Sequence, residues 1–79
     1  MRRSIGLTRR EREVRDHLAQ YMAENDGQSP TYEELAEMSG VTKSAVYETV
    51  NALIAKGHAR RLASKASRAL VLNYEVEDV

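Results

Sequence analysis

The chain contains no cysteine, no phenylalanine and no tryptophan, and only one proline among its 79 residues. Without cysteine, the protein can form neither a disulfide framework nor a thiolate zinc site. No apolar run reaches the length of a membrane span, and the N-terminus lacks the apolar segment of a signal peptide. We therefore expect one cytoplasmic domain whose core consists of Leu, Val, Ile, Ala and Met, with some Tyr.

Charge is unevenly distributed, although the formal net charge is zero. The range 51–72 holds five basic residues and no acidic one, and the range 73–79 holds three acidic residues and no basic one. The neutral net charge by itself argues against a nucleic-acid partner. The separation of charge along the chain is the stronger indication, and it favours a basic binding surface. Three interpretations of the acidic tail remain open. It is an unstructured end, a strand added across a two-fold axis, or a segment that folds back on the basic surface and weakens non-specific DNA binding.

Two consecutive helices are predicted between Pro30 and Gly57. A T-x-x-E capping box of Thr31 and Glu34 begins the first helix, because each side chain can accept a hydrogen bond from a backbone amide at the helix start. Gly40 ends this helix, since glycine adopts the left-handed conformation of a C-terminal cap without steric cost. The helix is predicted over Tyr32–Ser39, with Leu35, Ala36 and Met38 in the core.

A longer helix is predicted directly after it, over Lys43–Lys56, with Thr42 as its N-cap. Its apolar residues repeat at i, i+4, i+7 and i+8 and form one stripe: Val46, Val50, Leu53 and Ile54. The opposite face carries polar side chains: Ser44, Tyr47, Glu48 and Asn51. Two helices joined by a short turn with glycine form a helix-turn-helix, whose polar face can enter a major groove. The alternative is an ordinary solvated helix face.

The N-terminal part of the chain predicts a further helix. Thr8 and Glu11 form a second capping box. The residues at helical spacing that should face the core are Val14, Leu18 and either Tyr21 or Met22. Arginines alternate with acids along this helix, a pattern more typical of a solvated, ion-paired surface than of a nucleic-acid patch. The preceding range 1–6, with Arg2 and Arg3, is either a frayed terminus or an arm that contacts phosphate.

After the third helix the apolar pattern changes to that of strands. Two short strands, 58–62 and 68–72, are joined by the small-residue turn ASKAS. Leu70 and Leu72 alternate, so one face of this hairpin can pack against the helices while its basic tip points outward. The predicted fold is therefore mainly α with a small β-hairpin: a winged helix-turn-helix of three helices and a two-stranded wing, over 7–72.

Residues 7–72 resemble the N-terminal DNA-binding domain of the LexA repressor family. Four blocks of the family pattern occur in the family's order: L-T-x-R-Q-x-E-V at Leu7–Val14, P-T-x-x-E-I-A at Pro30–Ala36, A-L-x-x-K-G at Ala52–Gly57 and S-R-x-I-x-L at Ser67–Leu72. The resemblance implies a winged helix that binds operator DNA as a dimer, with its third helix in the major groove. Implied contacts to bases and backbone fall on Thr42, Ser44, Ala45, Tyr47 and Glu48, and wing contacts to the backbone on Lys65, Ser67 and Arg68.

The chain departs from this family in several ways. LexA repressors carry a second domain with a serine–lysine self-cleavage dyad and the main dimer interface, whereas this sequence ends at Val79. The adjacent Ser64-Lys65 pair is no substitute for that dyad. We therefore expect a stand-alone domain without self-cleavage, similar in plan to small regulators of phages or mobile elements. Ser39 replaces a usual leucine, for which Met38 should compensate, and Tyr47 is a bulky replacement, so the operator sequence does not transfer from the family.

The expected function is sequence-specific binding of double-stranded DNA without chemistry, in a cytoplasmic, nucleoid-associated repressor. Phosphate contacts are predicted for Thr31, Tyr32, Lys43, Arg60, Lys65 and Arg68, and base contacts for Ser44, Tyr47, Glu48 and Asn51. Two copies on a palindromic site, or a protein partner, would supply the specificity that one small interface lacks.

A second interpretation is a protein-binding winged helix that contacts RNA polymerase or another regulator through the acidic helix Tyr32–Ser39. An enzyme is not expected, because the sequence shows no metal-ligand spacing, no Gly-rich phosphate loop and no carboxylate pair with a plausible cleft, and we predict neither cofactor nor metal. His17 and His58 lie far apart in the sequence. The first is predicted at the helix surface or its boundary, and the second as a polar residue beside the wing.

Overall fold

The computed structural model describes residues 6–61 and 70–73. These form three helices and a two-stranded sheet: α1, Arg9–Glu24; α2, Tyr32–Ser39; α3, Lys43–Ala55; β1, Ala59–Arg61; and β2, Leu70–Leu72. The predicted winged helix-turn-helix is confirmed. The predictions for the arm at 1–5, the wing tip at 62–69 and the tail at 74–79 fall outside the described residues, and with them those for Lys65, Ser67 and Arg68.

The three helices begin where the capping patterns predict. The hydroxyls of Thr8, Thr31 and Thr42 each accept a hydrogen bond from the amide three residues later. The carboxylates of Glu11 and Glu34 in turn accept hydrogen bonds from the backbone amides of Thr8 and Thr31, which completes the two capping boxes. At the other end of α2, Gly40 has φ +70° and donates its amide to the last turn, as predicted for a glycine cap.

The core lies between the three helices and one face of the hairpin. Its largest fully buried apolar side chains come from every helix and from the loop before α2: Leu18, Leu35 and Leu53, with Val14, Val46 and Val50, and Pro30 in the loop. Strand β1 pairs antiparallel with β2, so that Ala59 lies opposite Leu72 and Arg61 opposite Leu70. Ala59, Leu70 and Leu72 are buried, which confirms the prediction that one face of the hairpin packs on the helices.

Two polar residues that the sequence did not place in the interior join the loops to the hairpin. Ser29 is 2% exposed, and its hydroxyl accepts a hydrogen bond from the amide of Leu70 at 3.3 Å. His58 is also 2% exposed, and its carbonyl accepts from the amide of Asn73 at 2.9 Å. His58 is therefore an interior residue at the junction of α3 and the wing rather than a surface neighbour of the wing.

The prediction that Met38 enters the core in place of a leucine is wrong. Met38 is 37% exposed. Leu35 and Ala36 define the buried side of α2, and Ser39, one turn after Leu35, lies on that side, whereas Met38 points about 100° away from it. Among the described residues, the buried hydroxyl of Ser39 has no hydrogen-bond partner. On the buried side of α2, the core therefore ends at Ser39, a small polar residue whose hydroxyl oxygen forms no hydrogen bond within the described residues.

Replacing Ser39 with alanine should leave the protein equally stable or stabilise it by up to about 1 kcal/mol, because the change removes a buried hydroxyl that forms no hydrogen bond. Thr49→Val is the matched control. The Thr49 hydroxyl is also buried but donates to the Ala45 carbonyl at 2.8 Å, so its loss should cost about 1 kcal/mol. Urea unfolding measures both. A clear loss of stability in Ser39→Ala would mean that the Ser39 hydroxyl does form a stabilising hydrogen bond.

An ion pair joins the start of α1 to the end of α3. Lys56 Nζ lies 2.6 Å from Glu11 Oε1 and donates to the carbonyl of Gly6 at 3.3 Å. The two side chains are only 20% and 12% exposed. Burial raises the pKa of Glu11, but hydrogen bonds from Lys56 and Thr8 and the charge of Lys56 lower it by more, so the net shift of the pKa is downward. Lys56 is thus engaged within the fold, away from the basic surface that the sequence suggested.

Because the pKa of Glu11 is lowered in the folded state, its ionised form stabilises the fold at neutral pH. That contribution should be lost as the pH falls below the ordinary glutamate value of 4.5 and through the lowered folded-state pKa. We expect Glu11→Gln to cost about 1–2 kcal/mol near neutral pH and almost nothing in strong acid. Glu13→Gln is the control, since Glu13 pairs with Arg9 at 3.6 Å on the open surface and should matter little at any pH. Urea unfolding across the acid range gives the comparison, and a pH-independent difference would argue against the ion pair.

Candidate nucleic-acid interface

Helix α3 has a fully buried face and, opposite it, an exposed one. Val46, Val50 and Leu53 are 0% exposed, whereas the opposite side presents Ser44, Tyr47, Glu48 and Asn51 to solvent. The helix has 13 residues and is therefore roughly 20 Å long, with a diameter that a major groove accommodates. The polar face that the sequence predicted is thus available to a ligand along the length of the helix.

The N-terminus of α3 differs from those of the other two helices in its charge. The first turns of α1 and α2 contain acids, Glu11 in one and Glu33 and Glu34 in the other, but the first turn of α3 contains none. It carries Lys43 instead, and its positive helix dipole is not offset by a carboxylate. Backbone amides at such a terminus can donate to an anion such as a phosphate.

At the start of α2, the capping box limits what Thr31 can offer to a ligand. The Thr31 amide donates to the Glu34 carboxylate at 2.9 Å, and the Thr31 hydroxyl accepts from the Glu34 amide at 3.1 Å. A phosphate contact by Thr31 would therefore use its hydroxyl proton. The amides of Tyr32 and Glu33, in the first turn, have no acceptor within the described residues and are the groups that can donate there.

A cluster of three side chains, the Arg61–Tyr32–Tyr47 cluster, links β1, α2 and α3. The rings of Tyr32 and Tyr47 meet edge to face, with centroids 5.7 Å apart and planes at 64°. The Arg61 guanidinium donates a hydrogen bond to the Tyr32 hydroxyl, and its central carbon lies 6.0 Å from the centre of that ring. Tyr47 is nevertheless 50% exposed. The cluster thus places an aromatic surface beside the solvated face of α3.

An open depression of about 350 Å³ lies at this surface. Its lining combines two aromatic rings, a lysine, a hydroxyl and a carboxylate: Tyr32, Tyr47, Lys43, Ser44 and Glu48. The structure therefore brings residues predicted to contact phosphate, Tyr32 and Lys43, next to residues predicted to contact bases. Thr31 and Thr42 occupy the N-caps of α2 and α3, Ala45 is half-buried behind the face, and Asn51 is exposed one turn beyond Tyr47.

The two arginines of β1 point to opposite sides of the hairpin. Arg61 shares the face of Ala59, Leu70 and Leu72 and reaches Tyr32, whereas Arg60, opposite Val71, projects from the other face. Arg60, the predicted phosphate contact, is exposed but lies apart from the cluster, and Arg61 was not among the predicted contacts. The alternation that places Leu70 and Leu72 toward the helices applies to β1 as well. Applied there, it would have placed Arg61 on the side of the hairpin that faces the helices.

Other kinds of site are not evident in the described parts of the chain. No group of three or more His, Asp or Glu side chains there could hold a metal ion. None of the described helices is long and apolar enough to cross a membrane.

A helix-turn-helix with an exposed polar second helix, closed by a small antiparallel wing, defines the winged helix-turn-helix class of DNA-binding proteins. The family model described as the LexA DNA binding domain matches residues 4–69 of this chain. The chain therefore belongs to the LexA DNA-binding domain family, as its sequence blocks indicated. It is a DNA-binding transcription regulator whose partner is double-stranded DNA. A search of curated proteins finds no match to the chain.

Proposed function

We propose that the protein is a sequence-specific repressor that binds operator DNA and acts by occluding a promoter, with α3 in the major groove and the wing along the backbone. The observation that carries this proposal is the division of α3 into a buried apolar face and a solvated face of hydrogen-bonding groups. A face of this kind next to an acid-free helix N-terminus can donate to phosphates and bases together.

In the proposed complex, phosphates are contacted from the N-termini of both helices of the helix-turn-helix. The amides at the start of α2, with Thr31 and Tyr32, face one strand, and Thr42 and Lys43 at the start of α3 face the groove edge. Residues of the wing extend the contact along the backbone: Arg60, Lys65, Ser67 and Arg68. Such contacts fix the register on the duplex but do not distinguish sequences.

Bases are read in this proposal by the exposed side chains of α3. Asn51 can pair bidentately with adenine, Glu48 can accept from cytosine N4, and the Tyr47 ring can contact a thymine methyl. Ser44 and Ala45 complete the face near the helix start. Because one domain offers a small interface, we propose that two copies bind a palindromic operator in the cytoplasm, on the nucleoid.

Selection of bound sequences from a random duplex library tests this function. We expect an enriched motif with two related halves about one helical turn apart. For each bound copy, binding should weaken with salt at a slope of log K against log salt of about −4 to −5, as for roughly four to six neutralised phosphates. A flat salt dependence and no enriched motif would remove the proposal.

A second candidate function is docking to RNA polymerase or another regulator through α2. Its outer surface exposes Glu33, Glu37 and Met38, a combination of acids and an apolar group that DNA would not favour. Changing Glu37 and Met38 to Gln and Ser should abolish capture of such a partner while operator affinity stays within about twofold, because neither side chain lies at the α2 start that is proposed to face DNA. If operator binding is lost as well, α2 does not act as a separate docking surface.

A further inference from the structure

The aromatic contact on the recognition face restrains a side chain that would otherwise be free. A tyrosine on a solvated helix surface can move between rotamers, but the Tyr47 ring has Tyr32 against it at an edge-to-face distance that aromatic pairs favour. Tyr32 is held in turn by Arg61, through the hydroxyl and through the ring. The ring of Tyr47 is therefore ordered before any ligand arrives, which lowers the entropic cost of using it as a contact surface.

The exposed half of Tyr47 borders a depression that also contains a carboxylate, Glu48. In the major groove, the one apolar group on a base edge is the 5-methyl group of thymine, and an apolar side-chain surface is its usual contact. A methylated cytosine presents the same methyl beside an N4 amine, which can donate a hydrogen bond to the Glu48 carboxylate, whereas thymine presents an acceptor, O4, at that position. The Tyr47 ring therefore fits the 5-methyl group of either pyrimidine, and Glu48 favours methylated cytosine where both side chains contact the same base.

We infer that Tyr32 is a positioning residue which holds Tyr47 against the 5-methyl group of a pyrimidine in the major groove, so that the Arg61–Tyr32–Tyr47 cluster forms a methyl-recognition subsite. This inference rests on the proposed function, because it assumes that α3 lies in the groove. It gives Tyr32 a role through its ring, in addition to the phosphate contact proposed for its backbone. It also assigns a function to Arg61, which anchors the wing to that ring.

The test uses the duplex selected from the random library, with single pyrimidines changed in turn. Thymine is replaced by uracil, which lacks the methyl, and cytosine by 5-methylcytosine, which gains it. For the unaltered protein we expect one position in each half-site where the methyl improves affinity about three- to fivefold, as for one buried methyl group. Whether that position prefers thymine or 5-methylcytosine distinguishes the two sources of the methyl.

Two variants separate positioning from general stability. Tyr32→Ala should bring the methyl preference at that position close to one. Affinity for random duplex should change less than about twofold and the salt slope should stay the same, because alanine keeps the backbone amide proposed to contact phosphate. Tyr32→Phe keeps the ring against Tyr47 and should retain the preference. Circular dichroism and urea unfolding establish that each variant is folded.

The outcomes for the subsite and for the function are distinct. If the unaltered protein selects a motif but shows no methyl preference anywhere, or if Tyr32→Ala keeps the preference, the subsite is overturned and operator binding stands. If Tyr32→Phe loses the preference as fully as Tyr32→Ala, the ring contact is not what positions Tyr47, and the inference is overturned. If no motif is selected at all, the proposed function itself fails.

Discussion

Replacing Tyr47 and Asn51 together with alanine is expected to lower affinity for the selected operator about 100-fold. Each side chain is exposed on α3 and is proposed to contact a base, and one good base contact contributes about 1–3 kcal/mol of discrimination. Affinity for random duplex should change little, because phosphate contacts dominate non-specific binding. Titration of the labelled operator and of a scrambled duplex at one fixed salt concentration measures both values.

The matched control changes two exposed residues outside the face, Gln20 and Glu24 on α1, which hydrogen bond to each other at 3.3 Å. Alanine at these positions should leave operator affinity within about twofold, since no DNA contact is proposed there. If the α3 variant loses random-duplex affinity as strongly as operator affinity, Tyr47 and Asn51 do not read bases. If it binds the operator normally but the chain still captures a protein partner, the docking function of α2 becomes the better explanation.

Leu53→Ala should have the largest effect on stability, lowering the free energy of unfolding by about 3 kcal/mol. Leu53 is 0% exposed and lies in the core formed by α1, α2, α3 and the hairpin, so truncation leaves a cavity that the backbone cannot close. For a domain of this size, that is a large part of the total stability. Urea unfolding followed by circular dichroism gives the value.

Ile54→Ala is the control for this truncation, on the same helix and with a side chain of the same volume. Ile54 is half-buried at the edge of the core, so neighbouring side chains and water can fill part of the space that it leaves. We expect a loss about half as large as that of Leu53→Ala. Equal losses of stability would contradict the difference in burial between Leu53 and Ile54 that the structure shows.

The helix positions could be predicted from the sequence because the signals that determine them are local. Thr8, Thr31 and Thr42 cap their helices through bonds to amides three residues away, and Gly40 ends α2 through its own backbone conformation. The apolar periodicity of α3 fixed which face would be exposed, so the candidate base contacts could be named as well.

The remaining features depend on contacts between distant segments. Glu11 and Lys56 are 45 residues apart, and Arg61 and Tyr32 are 29 apart, so no spacing rule relates them. From composition alone, Lys56 and Arg61 both counted toward a basic binding surface. In the structure, Lys56 is held in an ion pair within the fold, and Arg61 contacts the ring of Tyr32. Met38 was misplaced for a related reason. Size and hydrophobicity favoured it for the core, but the orientation of α2 was set by Leu35 and Ala36.

The contact between Tyr32 and Tyr47 also provides an intrinsic optical probe of binding. The chain has four tyrosines and no tryptophan, so its ultraviolet emission comes from tyrosine alone. Two of the four lie at the surface proposed to meet DNA, and one of them is half exposed. Bases that approach this pair will change its emission, so association kinetics can be followed on the unlabelled protein by stopped-flow fluorescence.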